Sequence, residues 1–463
     1  MPASETHTSM AHVATIATVL VVLASGLERK TTPPAPNQSA VDTFGWPKLI
    51  PLQKESVPVR RKGETVAFKT SYSGAISVGR PAQDVRVVFD TGSAHIVLPS
   101  SSCVNETCLM HRQYNISKSS TATAINVDGS TVQPDELCDQ VTIGYGTGQV
   151  VGEFAKEQVC TGGDTSACVE VNIVMAVEMS EQPFKSFKFD GIFGLALDAL
   201  AISPEFSFFN RLTASAPETK ARLQFGFFLD ENQEDGGGEI ALGGFNEKRL
   251  LTPLQWAPVA KKANGHWQVE IKEIRIGNVT LDVCRDGSCR GVVDTGTSHL
   301  GIPGKHMKRF TSSLQTNVED ETNCRDASAP DVHLVLEGLT LSLSPRHYMR
   351  PLPLRRELGK PALGAPETKG STSMMPRTCS PKLMSVNMPK ALGPNLFILG
   401  EPVLQRYYTA YDWAERKIGF GLAATPSNAK ALEPPGGIGG DEEDVHSFLQ
   451  VTVTVAVRRV RRK

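Results

Sequence analysis

At 463 residues, 40% of them apolar, the chain has room for two domains or one two-lobed body and enough apolar mass for sizeable cores. Its 40 glycines and 30 prolines, with little sustained helical periodicity, favour a turn-rich β fold over a helical one. A formal net charge of −1 supplies no basic field, so nucleic-acid binding is not expected.

In chain order, an apolar run over residues 11–24 is followed by Ser25-Gly26. Small residues at Ala24 and Gly26 suit signal peptidase, so residues 1–26 read as a cleaved signal peptide, although the preceding stretch carries Glu5 and no Lys or Arg. An uncleaved anchor is the alternative, with a run short for a membrane span. Residues 27–65 are Pro-rich and polar, with a basic cluster at Arg60-Arg61-Lys62, and read as a prosegment or linker. From Val66 strand character begins: Ala75-Ile76-Ser77-Val78 and Val85–Phe89 are rich in β-branched residues and bounded by Gly or Pro. This texture persists to about Leu343. Residues 350–377, rich in Pro, Arg and Gly, read as an inserted surface loop, and strand patterns return at Leu396–Leu399 and Ile418–Phe420. The tail, 425–463, joins Pro434-Pro435-Gly436-Gly437, an acidic run Asp441–Asp444, an apolar stretch Phe448–Val457 and a basic end Arg458–Lys463. Disorder is the plainest expectation for it, with an added strand or a surface-binding segment left open.

Of nine cysteines, Cys103/Cys108 and Cys284/Cys289 form local pairs without a second Cys or His pair at metal-ligand spacing, so no metal site is expected. In a chain with a secretory signal such short loops read as disulfides, and the odd count leaves at least one cysteine outside intrachain pairs. Sequons at Asn37, Asn105, Asn115 and Asn278 agree with secretion.

Two segments share one layout. Phe89-Asp90-Thr91-Gly92-Ser93 and Val293-Asp294-Thr295-Gly296-Thr297 each run apolar strand, acid, Thr, Gly, hydroxyl. Glycine lets backbone approach closely, and the hydroxyls can hydrogen-bond the carboxylate. One Asp-Thr-Gly is usually just a turn; two copies after matching strands point to a pair of carboxylates. Brought together, two such acids cannot both ionise cheaply and share a proton. The ionised one then takes a proton from water while the other donates to a carbonyl, which is general acid/base hydrolysis.

On these motifs the chain resembles the pepsin and cathepsin D family of aspartic proteases, over roughly Tyr72 to Leu422. Tyr72–Gly79 with Pro81–Asp84 resembles the strands leading to the first Asp. Ile143–Gly148 resembles the flap hairpin, and Phe189–Leu195 the segment packed behind the first active-site loop. Glu239–Gly244 resembles the segment entering the second lobe, and Trp256–Val259 and Gly265–Gln268 its early strands. Phe397–Pro402 with Tyr407–Asp412 resembles the packing segment behind the second loop.

The resemblance implies an all-β, bilobal pepsin-like fold with the active-site cleft between two β-barrel-like lobes, 66–248 and 249–424. It implies an aspartic endopeptidase with Asp90 and Asp294 as dyad and no cofactor. Thr91 and Thr295 would lock the loops, Ser93 and Thr297 would orient the acids, and backbone at Gly92 and Gly296 would contact substrate. Tyr145, Gly146 and Thr147 would lie on the flap. Expected partners are an extended peptide or protein substrate and pepstatin-type inhibitors. The protein would be a monomer of the secretory pathway, secreted or in an acidic vesicle or vacuole, with membrane tethering as a variant. Cys324 and Cys379 resemble the long disulfide of the second lobe. Near the flap Cys160 with Cys168 is favoured over Cys138 with Cys160.

There are departures. Val97 stands where the family often has a Trp bonded to the flap Tyr, and His95 is unusual, read as solvated or locally hydrogen-bonded. Gly400-Glu401 replaces the commoner Gly-Asp. Arg60, Arg61, Lys62 or Lys54 could play the zymogen lysine that pairs with the dyad; the basic cluster could equally be a processing site or simply solvated, and cleavage near residues 62–70 is one expectation. A catalytically dead binding protein, the competing reading, usually loses an Asp or a flap residue; none is lost here.

Overall fold

A computed structural model describes residues 47–61, 64–133, 136–146, 148–161, 168–215, 223–231, 237–314, 324–353, 377–387, 392–432 and 457–460. The expected signal peptide and Thr147 lie outside these. The fold is all-β and two-lobed, with few and short helices such as Phe208–Ser215 and Gly304–Ser313.

Strand Gln83–Asp90 shows why this sequence makes sheet. It is rich in β-branched and aromatic residues and buried on both faces near its end: Val85, Val87 and Phe89 point into the main core and Val88 into a second cluster. It runs parallel to Gly191–Gly194, with Asp90 opposite Gly194. The strand that leaves the turn, Ile96–Pro99, pairs antiparallel with the same short strand, Ile96 opposite Phe193. The second lobe repeats this. Arg290–Val293 runs parallel to Leu396–Leu399, and Leu300–Pro303 returns antiparallel to it, Leu300 opposite Leu399. Each Asp-Thr-Gly turn is therefore pinned between an arriving and a departing strand by a third strand from about a hundred residues further along.

One sheet joins the two halves of the chain. Lys48–Arg61 pairs with Gly237–Leu242 and with Glu64–Val78; Gln224–Leu229 pairs with Gly237–Leu242 and with Tyr407–Asp412. Beneath it Phe225 stacks on Tyr411 (centroids 4.6 Å apart), and Trp267 meets both rings edge-on. The wholly buried Trp267 donates its indole N–H to the Leu195 carbonyl at 2.8 Å, tying the second half to the first. Each such burial contributes about 2 kcal/mol.

Two segments differ from the sequence reading, and the tail takes up an added strand that the reading left open. Residues 48–61, expected to be prosegment or linker, form a 14-residue strand whose Ile50 and Leu52 are in the core. The ends of the expected 350–377 loop are a ribbon, Met349–Pro353 against Arg377–Pro381, while 354–376 lie outside the described residues. In the tail, Pro426–Leu432 is helical, and Val457–Val460 adds to the outer edge of the hairpin strand Gln140–Tyr145, Val457 opposite Ile143.

Four disulfides form: Cys103–Cys108, Cys160–Cys168, Cys284–Cys289 and Cys324–Cys379. Cys138 is in none of them. No described helix is long and apolar enough to cross a membrane.

Candidate active site

The paired strands deliver Asp90 and Asp294 to the same place. Asp90 accepts hydrogen bonds from Gly92 N at 2.9 Å and from Ser93 Oγ at 2.5 Å. Asp294 accepts from Gly296 N at 2.8 Å and from Thr297 Oγ1 at 2.6 Å. Each acid is thus held by the same two groups of its own turn, and the two carboxyls line one cleft. The glycines are required by this closeness. A Cβ on Gly92 would sit 3.0 Å from the Asp294 carboxyl carbon, and one on Gly296 only 2.5 Å from Asp90 Oδ1. Asp294 is wholly buried, and its pKa lies well above the usual carboxylate range, first through burial and then through the Asp90 charge. Under the dyad, Thr91 and Thr295 bond each other's backbone across the lobes.

Above it stands the hairpin of Gln140–Tyr145 and Gly148–Thr161, with Tyr145 opposite Gly148 and Gly146 exposed at the turn. Tyr145 reaches into the cleft that holds both acids and packs edge-on against Phe184 at 5.8 Å. Burial, then the Asp90 charge, pushes its phenol pKa up. Val97 is buried in the sheet between Ile192 and Val174 and offers the tyrosine no polar partner. Phe184, in a short turn that the sequence reading passed over, supplies the ring instead. His95 is a structural residue: it is buried, its Nε2 accepts from Ile202 N at 3.0 Å, and burial lowers its pKa to about 4.

The cleft encloses about 400 Å³. Val88, Phe187, Phe189 and Ile192 make one wall apolar; Lys69, Ser298 and His299 line another part. Neither Lys69 nor His299 belongs to a motif, so neither drew attention in the sequence.

Glu401, read as a mild departure, organises the far side of the second loop. Its backbone N–H donates to the Thr297 carbonyl at 2.9 Å. Its buried carboxylate binds Lys382, accepts from Gln405 Nε2 at 2.6 Å and Tyr72 at 3.2 Å, and lies 3.7 Å from Lys54. Burial raises its pKa, but Lys382, Lys54 and Arg350 more than offset this and bring it to about 2. Lys54, a candidate for blocking the dyad, is placed against Glu401; Lys62 and the side chains of Arg60 and Arg61 lie outside the described residues. Among the described residues no His/Cys/Asp/Glu cluster is suited to a metal.

Residues 71–358, more than half of the chain, match the eukaryotic aspartyl protease family. The chain is 30% identical to cathepsin E of Aquarana catesbeiana, over 75% of this chain and 78% of that protein. It is 29% identical to pepsin B of Canis lupus familiaris (84% and 91% covered) and 28% identical to renin of Rattus norvegicus (76% and 80%). With two Asp-Thr-Gly turns meeting across a cleft and this similarity over most of its length, the chain belongs to the eukaryotic aspartyl protease family and is an aspartic endopeptidase acting on peptides or proteins.

Proposed function

We propose that the protein cuts peptide bonds with a water activated between Asp90 and Asp294. The observation that carries this is the meeting of the two carboxyls in one cleft, each held by the glycine N–H and hydroxyl of its own turn, with the Asp294 pKa raised by burial and by its neighbour. One carboxylate takes the proton of the water as it attacks the scissile carbonyl; the protonated partner donates to the carbonyl oxygen and then to the leaving amine. Ser93 and Thr297 fix the orientation of the acids, Thr91 and Thr295 lock the loops, and the backbone at Gly92 and Gly296 leaves room for substrate. Tyr145 and Gly146, followed in sequence by Thr147, close over an extended peptide. Pepstatin-type inhibitors would occupy the same cleft, and the enzyme works as a monomer. Four disulfides support a route through the oxidising secretory pathway, to the exterior or an acidic vesicle. Because Lys48–Arg61 is a core strand, any activating cleavage near residues 62–70 would have to leave that strand bound or replace it.

The test is peptide cleavage by the purified chain from about pH 3 to pH 7, repeated with Asp90→Asn and with pepstatin. Activity confined to the acid side and lost in both controls is expected. Activity that survives Asp90→Asn refutes the dyad.

A further inference from the structure

We propose that Lys69 selects substrates by charge, so that the cleft prefers a peptide with an acidic side chain two or three residues from the bond to be cut. The inference rests on the dyad reading above. Lys69 lines the same cleft as Asp90 and Asp294, and among the described residues it is the one Lys or Arg that does so. Its position follows from strand register. On Glu64–Val78, Ser73 pairs with Val88, two residues before Asp90. Ser71 therefore lies near the level of the first acid, and Lys69 about 7 Å beyond it on the same face of the strand. An extended substrate advances at the same rise per residue, so this offset corresponds to two residues, or three if the peptide crosses the strand obliquely.

The surroundings favour a carboxylate there. The Lys69 ammonium is half-buried, and desolvation, the one resolved influence on it, lowers its pKa. Among the described residues no carboxylate lies within ion-pairing distance. A substrate carboxylate arriving at this point would supply the missing counter-charge in a partly desolvated site, where a charge pair counts for more than on open surface. His299, lining the same cleft, adds hydrogen bonding without charge, since burial and then Lys382 bring its pKa to about 3. The apolar wall of Val88, Phe187, Phe189 and Ile192 is a separate feature and would take a bulky apolar residue. Two unlike requirements at a fixed spacing would make the enzyme more selective than the apolar wall alone.

The experiment uses one peptide with a bulky apolar pair at the cut, in which Glu, Gln or Lys is placed in turn at each of the three positions on either side. The readout, taken at about pH 5.5 where a Glu side chain is ionised, is the ratio of kcat/KM for the Glu peptide to that for the Lys peptide within each enzyme variant. Changes in basal rate or folded fraction cancel in this ratio. Wild type should favour Glu by about tenfold at one position, two or three residues from the cut. Lys69→Met should bring that ratio close to one, and Lys69→Glu should invert it. A wild-type ratio near one at every position, or a preference that persists in Lys69→Met, overturns the inference while leaving the dyad intact. If wild type cuts none of the peptides, Gln series included, the dyad reading falls and this inference with it.

Discussion

Thr91 and Thr295 exchange hydrogen bonds across the two lobes: the backbone N–H of each donates to the hydroxyl of the other at 3.0 Å. Each hydroxyl then donates onward, Thr91 to the Val293 carbonyl at 2.8 Å and Thr295 to the Phe89 carbonyl at 2.6 Å. Both residues are buried, so each loop is held by a group 204 positions away, and neither lobe can set its acid alone.

Replacing Thr295 by Val keeps the shape and removes the hydroxyl. The Thr91 N–H and the Phe89 carbonyl then lose their partner inside the protein, at a cost of about 1–3 kcal/mol. Thermal unfolding should show this as a lowered Tm, and kcat should fall by about tenfold or more as the dyad loosens. Thr295→Ser should restore most of both. A Ser variant no better than Val would mean that packing rather than the hydroxyl holds the loops.

The raised pKa of Asp294 makes stability depend on pH with a definite sign. A carboxyl whose pKa is higher folded than unfolded contributes stability that is complete below the unfolded value, about 3.9, and is lost as pH rises through the folded value. Glu401 works in the opposite sense. Its pKa of about 2 gives stability that is present above the ordinary Glu range, about 4.3, and lost as pH falls toward 2. Tm measured against pH should therefore pass through a maximum on the acid side of neutrality. Asp294→Asn should flatten the decline on the alkaline side of that maximum and leave the decline at low pH. An unchanged alkaline limb would show that the dyad is not protonated in the folded enzyme.

Removing the Glu401 charge tests the support behind the second loop. Glu401→Gln leaves Lys382 buried without its counter-ion; burial already lowers the Lys382 pKa to about 8. Breaking a buried pair in this way costs about 3–5 kcal/mol. Adding Lys382→Met to Glu401→Gln should recover part of that loss, a coupling that a double-mutant cycle in denaturant would measure. Additive losses would show that the two side chains do not act as a pair.

The two matching Asp-Thr-Gly turns were legible in the sequence because everything that announces them is local: an apolar strand, an acid, a small hydroxyl residue and a glycine within five positions. The strand Lys48–Arg61 was not, because Pro51, Pro58 and its charges read as a linker. The ladder explains the prolines. Pro51 lies where the strand pairs with Gly237–Leu242 alone, and Pro58 where it pairs with Glu64–Val78 alone. Each therefore has a neighbour on one side only, where a missing N–H is tolerated. Lys69 and Phe184, and the role of Glu401, escaped for another reason. What gives each its significance, the cleft, Tyr145, and Lys382 with Tyr72, is remote in sequence and adjacent only in the fold.

The sequons are distinguished by the hydrogen bonds of their amides. Asn105 uses its side-chain N–H to donate to the Met179 carbonyl at 3.0 Å, and its oxygen caps the helix Glu106–Leu109 through Cys108 N at 2.9 Å. A glycan on that nitrogen would break the first bond. Asn278 is exposed in the turn between Glu273–Ile276 and Val279–Leu281. Expressed through a secretory route, Asn278→Gln should remove one glycan on a gel. Asn105→Gln should leave the mobility unchanged and cost about 1 kcal/mol from the lost cap.

Tyr145 packs edge-on against Phe184 at 5.8 Å, and the nature of that contact sets what it can hold in place. An edge-on ring pair contributes about 0.5–1.5 kcal/mol and, unlike an indole N–H, does not fix the phenol oxygen. Phe184→Ala should therefore free the tyrosine ring without disturbing the dyad below. KM should rise by up to about tenfold, and the acid limb of the pH profile, set by the carboxyls, should stay where it is. Val97→Trp offers the converse test, but Val97 is buried in the sheet between Ile192 and Val174, so an indole would overpack it at about 1–3 kcal/mol. A Phe184→Ala enzyme with unchanged KM and kcat would show that the flap is positioned by its hairpin alone.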